Sequence, residues 1–179
     1  MQVGTVYWIT GLAGAGKSTT ARGLAERLRR SGRAVFVLDG DDMRAIIPGT
    51  FDHTLEERRQ LAQYYAALAN RLQADGIDVV CATISMFQSI RDWNREHNPT
   101  YVEIFLDVGL DELKRRDQKG IYSGQASGQV RDVIGLDLGL ELPRSPDITL
   151  TPGIGDDAEA VLAQLWRALM KPTDPDSTS

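Results

Sequence analysis

Gly11-Leu12-Ala13-Gly14-Ala15-Gly16-Lys17-Ser18 is the stretch on which the reading of this chain turns. Glycine, four free positions, glycine, lysine and then serine or threonine is the pattern of a loop that wraps phosphates. Glycines let the backbone turn its amide hydrogens inward around an anion, and the helix that follows points its positive end at the same anion. Lys17 adds a mobile cation for the outer phosphates, and Ser18 offers a hydroxyl to Mg²⁺. A dinucleotide-binding turn is the other glycine-rich option. It needs glycines at the first, third and sixth places, and Gly14-Ala15-Gly16-Lys17-Ser18-Thr19 fails at the last.

Outward from the loop, the pattern is one of short apolar runs alternating with helical periodicity. Val3 to Thr10 reads as a buried strand feeding the glycine turn, and Ala21, Leu24, Ala25 and Leu28 predict a helix from Lys17 to Arg30. Ala34 to Asp39 reads as a second strand, and Thr54-Leu55-Glu56-Glu57 is a capping box that opens a long helix running to Asp75-Gly76. Strands follow at Ile77 to Ile84, Tyr101 to Val108 and Asp147 to Thr151. Helices are predicted around Phe87 to Glu96, over Leu110 to Arg116, and on the face formed by Ala158, Val161, Leu162, Leu165, Trp166 and Leu169. This rhythm predicts an α/β protein with the P-loop NTPase fold, a parallel five-stranded sheet with helices on both faces. Residues 1–170 are expected to form a single P-loop domain, and the polar stretch 171–179 a disordered tail. The glycine-rich excursion at about 117–142 is expected to act as a mobile lid.

Bulk properties exclude several classes. A net charge of −5 over 179 residues gives no electrostatic case for nucleic acid or a membrane surface, so any anion must be captured locally. Cys81 is the single cysteine; it excludes an internal disulfide and a cysteine-based zinc site, and its apolar neighbours read as core. No window approaches a membrane span and no secretory leader is seen, so a soluble, cytoplasmic protein is expected.

A phosphate loop serves kinases, guanine-nucleotide switches and inert binding modules alike. The Asn-Lys-x-Asp base-reading motif of a switch is absent. A module without chemistry has no need of acids near the phosphates, yet Asp39-Gly40-Asp41-Asp42 ends the second predicted strand, on the sheet edge that carries the loop. Asp39 and Asp41 are therefore candidates to organise Mg²⁺ or to accept a proton from an attacking hydroxyl.

With Met43 and Arg44 added, this series resembles the adenylylsulfate (APS) kinase family. The likeness spans most of residues 4–151 and includes Gly11 to Thr19, the Asp-Gly-Asp turn followed by Arg44, Arg58 after an acidic residue, and Ser85 at a strand end. Arg116-Asp117-Gln118-Lys119-Gly120-Ile121-Tyr122 and Pro146-Asp147 complete it. The resemblance implies ATP and Mg²⁺ as cofactors and transfer of the γ-phosphate to the 3′-hydroxyl of a small nucleotide, adenylylsulfate giving 3′-phosphoadenylylsulfate. It assigns ATP to Gly11, Ala13, Gly14, Ala15, Gly16, Lys17, Ser18, Thr19 and Arg116. The metal goes to Ser18 and Asp39, and the acceptor to Asp41, Arg44, Arg58, Ser85 and Lys119. The chemistry goes to Lys17, Asp39, Asp41 and Ser85, where a hydrogen bond to substrate is expected because in-line transfer needs no protein nucleophile. A homodimer stays open as the assembly.

The acceptor side departs from the family pattern. Phenylalanines that usually clasp the acceptor base are replaced by His53 and Val133, and the signature after Arg58 reads Leu61, Gln63 and Tyr64. Ser123, Gly124 and Ala126 stand where lid basic residues are usual, and Ser85-Met86 replaces Ser-Pro. Unchanged chemistry with a changed acceptor is the economical expectation. Val80 to Phe87 and Trp93-Asn94-Arg95-Glu96 resemble a branch that includes kinases of cytidine diphosphoramidate. Phe87, Trp93 and Arg95 are thus candidates for an altered acceptor pocket, with core packing as the alternative for the two aromatics.

Overall fold

A computed structural model describes residues 3–47, 54–84, 86–116, 141–153 and 155–171. Its strands are β1 (Val6–Thr10), β2 (Val35–Asp39), β3 (Asp78–Ala82), β4 (Tyr101–Leu106) and β5 (Ile148–Leu150). Its helices are α1 (Lys17–Arg30), α2 (Gly40–Ile46), α3 (Leu55–Ala74), α4 (Gln88–His97), α5 (Leu110–Arg116) and α6 (Ala158–Leu169). The strands lie in the order β2-β3-β1-β4-β5, and each neighbouring pair is parallel.

That order places the glycine loop. β1 pairs with β3 on one side and β4 on the other, Val6 opposite Val79 and Tyr101, so the chain leaves the sheet centre in opposite directions. A crevice opens beyond the carboxyl ends of strands at such a switch point.

Strand side chains alternate between two apolar layers. Tyr7 and Ile9 pack with Ala21, Leu24 and Leu28 of α1 and with Val161, Leu162 and Leu165 of α6. Val6 and Trp8 pack with Leu61, Ala62, Tyr65, Ala66 and Ala69 of α3 and with Phe87 and Ile90. β1 is buried along its whole length, which explains why its sequence is continuously apolar where a half-exposed strand would alternate. Cys81 is fully buried in the second layer, and burial pushes its thiol well above the ordinary value.

The opposite end of the sheet is closed by buried polar bonds. Gln73 donates from Nε2 to Gly4 O at 3.0 Å and Thr100 O at 2.6 Å. Asp78 accepts from the Thr5 amide at 2.8 Å and from Arg33 at 2.6 Å. These tie the strand starts together and leave the other edge for ligands.

The main correction concerns the acids after β2. The expected turn at Asp39-Gly40-Asp41-Asp42 is the start of a helix, with Asp39 as its N-cap accepting from the Asp41 amide. An aspartate with extended backbone before a run of seven helical residues satisfies an orphan amide of the first turn. β1, β3 and β4 are also shorter than their apolar runs, because Val3, Ile84 and Val108 lie beyond the paired register.

Candidate active site

The cradle follows β1 directly. Gly11 has φ 152°, and a Cβ there would stand 2.8 Å from Leu106 O, so a side chain at this place would meet the backbone of β4. Gly16 takes the left-handed conformation, φ 93°, as the residue before α1. No side chain caps α1, and no acid stands in its first turn. Its leading amides are therefore left for an external anion, and the helix dipole favours one.

Lys17 is only 8% exposed and donates from Nζ to Leu12 O at 2.7 Å. The lysine is thus folded over its own loop, where a phosphate oxygen can exchange for the carbonyl. Ser18 is half-buried and Thr19 exposed on the first turn of α1. On the far wall, Leu113 of α5 lies 3.8 Å from the Cβ position of Gly14. Arg116, three residues further along α5, donates from Nε to Glu112 at 2.6 Å. Hydrogen bonds from Arg115 and Arg116 hold the Glu112 carboxyl down to about 2.

The acidic edge meets this cradle. Asp39 is 3% exposed; one carboxylate oxygen accepts from the Asp41 amide at 3.0 Å. Its Oδ2 is buried without a hydrogen-bond partner among the described residues. Arg22 of α1 stands 3.9 Å from that oxygen and 4.0 Å from Asp42. A buried carboxylate oxygen left open, beside the helix that starts at the phosphate loop, has the hard-oxygen character that a divalent cation takes. Among the described residues no group of three or more His, Cys, Asp or Glu side chains is placed to hold a metal ion. That fits a cation bound chiefly through phosphates and water. Arg22 escaped the motif reading. Its signal is its place one helical turn after Ser18, on the side of α1 that faces the end of β2.

Beyond the acids lies a second wall. Arg44 of α2 pairs with Asp41, and the Tyr65 phenol donates to Gly40 O at 3.3 Å. Burial raises that phenol to about 12, so it remains a donor. Arg58 stands in the first turn of α3, whose capping box is formed as expected between Thr54 and Glu57. Arg59 places its guanidinium 5.4 Å from the centre of the Phe87 ring. Leu61 is 6% exposed and belongs to the apolar layer, whereas Tyr64 faces solvent.

Of the three candidates for an altered pocket, Phe87 is in the core. Trp93 packs against the same layer and stacks on His97 with centroids 4.3 Å apart. Arg95 is committed to Asp147 at 3.1 Å and Glu103 at 3.2 Å, a structural bridge from α4 to β4 and β5. Arg91, 1% exposed, donates to Glu141 O at 2.8 Å and Leu142 O at 3.2 Å. The Glu141 carboxylate accepts from the Gln88 amide at 2.6 Å; it caps the start of α4 from a distant part of the chain. His53, Ser85, Lys119, Val133, nearly all of the expected lid and all but Lys171 of the expected tail lie outside the described residues.

Comparisons with known proteins bear on this site. Residues 3–151 match the profile of the family described as adenylylsulphate kinase. A cytidine diphosphoramidate kinase of Campylobacter jejuni is 36% identical over 140 residues, covering 78% of this chain and 82% of that protein. An adenylyl-sulfate kinase of Pseudomonas aeruginosa is 38% identical over 147 residues, covering 81% and 75%. The structure of the Mycobacterium tuberculosis APS kinase in complex with AMPPNP and APS superposes with TM-score 0.82 at 26% identity, covering 96% of this chain and 100% of that one. The matched segment contains both the glycine loop before α1 and the acids after β2. The chain belongs to the adenylylsulphate kinase family and is a kinase, a phosphotransferase with an alcohol group as acceptor.

Proposed function

We propose that the chain transfers the γ-phosphate of ATP to the 3′-hydroxyl of a small nucleotide, with adenylylsulfate as first candidate acceptor. The observation that carries this reading is the buried Oδ2 of Asp39, which has no hydrogen-bond partner among the described residues, beside the helix whose uncapped amides close the phosphate loop. Backbone amides of Gly11 to Ser18 hold the donor phosphates, and Lys17 leaves Leu12 O to follow the transferring group. Ser18 and Asp39 would hold Mg²⁺, which when bound neutralises charge on the phosphate oxygens. Asp41 accepts the proton of the attacking hydroxyl once the acceptor's negative groups draw Arg44 away from it. Arg58 joins Arg44 on the acceptor, and Arg116 supports the donor from α5.

A cytidine nucleotide of the diphosphoramidate type is the second candidate. The 36% identity to a kinase of that name supports it, as does Leu61, whose burial in the core leaves no polar group there for an acceptor. Both readings are tested by ADP release from ATP in the presence of adenylylsulfate, cytidine diphosphoramidate or neither. The expected result is release that depends on one acceptor. Equal ADP release under all three conditions would falsify the kinase assignment in favour of a nucleotide-hydrolysing regulator.

A further inference from the structure

Arg59 is an exposed residue of α3, one position beyond the arginine assigned to the acceptor. Its guanidinium lies over the ring of Phe87, 5.4 Å from its centre. Phe87 is 4% exposed and is fixed in the layer formed by Trp8, Leu61 and Ile90, so the ring is a rigid support. Most arginines near the catalytic edge are spoken for: Arg22 and Arg44 by aspartates, Arg95 by Asp147 and Glu103, Arg116 by Glu112. Arg59 has neither a hydrogen bond nor an ion pair to any described residue, and a planar cation resting on an aromatic face keeps its outward side and its N–H donors for a ligand.

Its position gives that ligand. Phe87 directly precedes α4, a few residues beyond the carboxyl end of β3. Arg59 lies one turn before Ala62, which packs in the same layer. Tyr65, further along α3, reaches the start of α2. The first turns of α3 therefore overlook the crevice above β2 and β3, with Arg44 on one side and Phe87 on the other. Bases stack on guanidinium planes as they do on aromatic rings.

Building on the kinase reading above, we propose that Arg59, held over Phe87, is the stacking platform for the planar base of the acceptor nucleotide, while Arg44 and Arg58 meet its negative groups. This makes Arg59 a specificity-determining residue that prefers a base-bearing acceptor over a bare pyrophosphate or a sugar phosphate. The ligand class is a nucleoside carrying an anionic anhydride.

The test is equilibrium binding to the full chain with the donor site filled by a non-hydrolysable ATP analogue. The probes are adenylylsulfate, cytidine diphosphate and, as a ligand without a base, inorganic pyrophosphate. R59A and R59K are both expected to weaken the better-bound nucleotide by about tenfold, the size of one lost base stack. Pyrophosphate binding is expected to change by less than about twofold, because the lost contact is to a base. Restoration by R59K would show a charge contact in place of a stack and overturn the platform. Equal weakening of pyrophosphate, unchanged nucleotide binding in R59A, or no nucleotide binding by the unaltered chain would also overturn it. Failure of the kinase reading looks different: nucleotide binding that depends on Arg59 with no acceptor-dependent ADP release keeps the platform and removes the transfer.

Discussion

The two halves of the proposed site, donor and acceptor, are made in different ways. The donor half is a contiguous run of backbone, Gly11 to Ser18, held between the central strand β1 and helix α1. The acceptor half is assembled from side chains of α2, α3 and α4, and its shape rests on contacts such as Arg44 to Asp41 and Arg59 over Phe87. Backbone grips a phosphate whatever the neighbouring side chains are, so the first half is hard to retune without losing the fold. Side chains are exchangeable, so the second half can change its ligand while the first stays fixed.

The sharpest way to separate the halves is Lys17→Ala. In the proposed mechanism Lys17 serves the donor phosphates and the transferring group and not the acceptor, so kcat should fall by about a thousandfold or more, the scale of losing an electrostatic contact to the transition state. Binding of the acceptor nucleotide by calorimetry should stay within about twofold if the halves are separate. Turnover near that of the unaltered protein would remove the cradle from the mechanism.

Arg91→Met tests whether the acceptor half depends on a buried polar support. Arg91 and Glu103 are 1% and 3% exposed, with Nε 3.4 Å from Oε1. Removing the arginine leaves a buried carboxylate with less compensation, at a cost of about 3 kcal/mol. Burial raises the pKa of Glu103 above the ordinary carboxylate value, and Arg91 pulls it down. A raised value in the folded state means that stability is lost as pH rises through the interval between the unfolded and folded values. Without Arg91 that interval extends upward. Urea unfolding should therefore show the variant destabilised more at about pH 7 than at about pH 4. Equal destabilisation at both would mean that charge pairing is not what Arg91 supplies.

Asp39→Asn addresses the seam between the halves. Asparagine caps a helix as well as aspartate does, so α2 should persist, but the open oxygen of Asp39 loses its charge. Turnover is expected to fall by about ten- to a hundredfold, with the Mg²⁺ concentration for half-maximal rate moving upward. An unchanged metal requirement would move the metal off Asp39.

The halves were unequally legible in the sequence, and for the same physical reason. The loop pattern is local, so its position between β1 and α1 could be read directly, and α1, α5 and α6 have the residues expected. The capping box at Thr54 was equally plain. Apart from α2, what escaped depends on partners far along the chain. α2 reads as a turn because Asp, Gly and Asp are turn formers as well as helix starters, and only the cap on the Asp41 amide decides between them. Arg95 looked available to a substrate because nothing local shows Asp147 and Glu103 beside it. Leu61 marks a change in the signature after Arg58, but nothing local shows that it packs in the core with Trp8 and Phe87. Arg22 and Arg59 carry no motif at all, and their contacts appear only when α1 is laid against β2, and α3 against Phe87.

The smallest expected effect bears on how each half begins its helix. Thr54 accepts from the Glu57 amide at 3.3 Å, and the Glu57 carboxylate accepts from the Thr54 amide at 3.3 Å. α3 is thus closed by its own residues, whereas α1 starts at Gly16 with no side-chain cap, which in the proposed site leaves its first amides to the phosphates. Thr54→Ala should cost about 1 kcal/mol. The loss should fall on the first turn of α3, where Arg58 and Arg59 stand, and hydrogen exchange should quicken there and not in α1. The KM for the acceptor should then rise by about two- to fivefold, since a frayed turn must be reordered on binding at up to about 1 kcal/mol. The KM for ATP should hold. A matched rise in both would show that the helices of the two halves are coupled, and would contradict their independent construction.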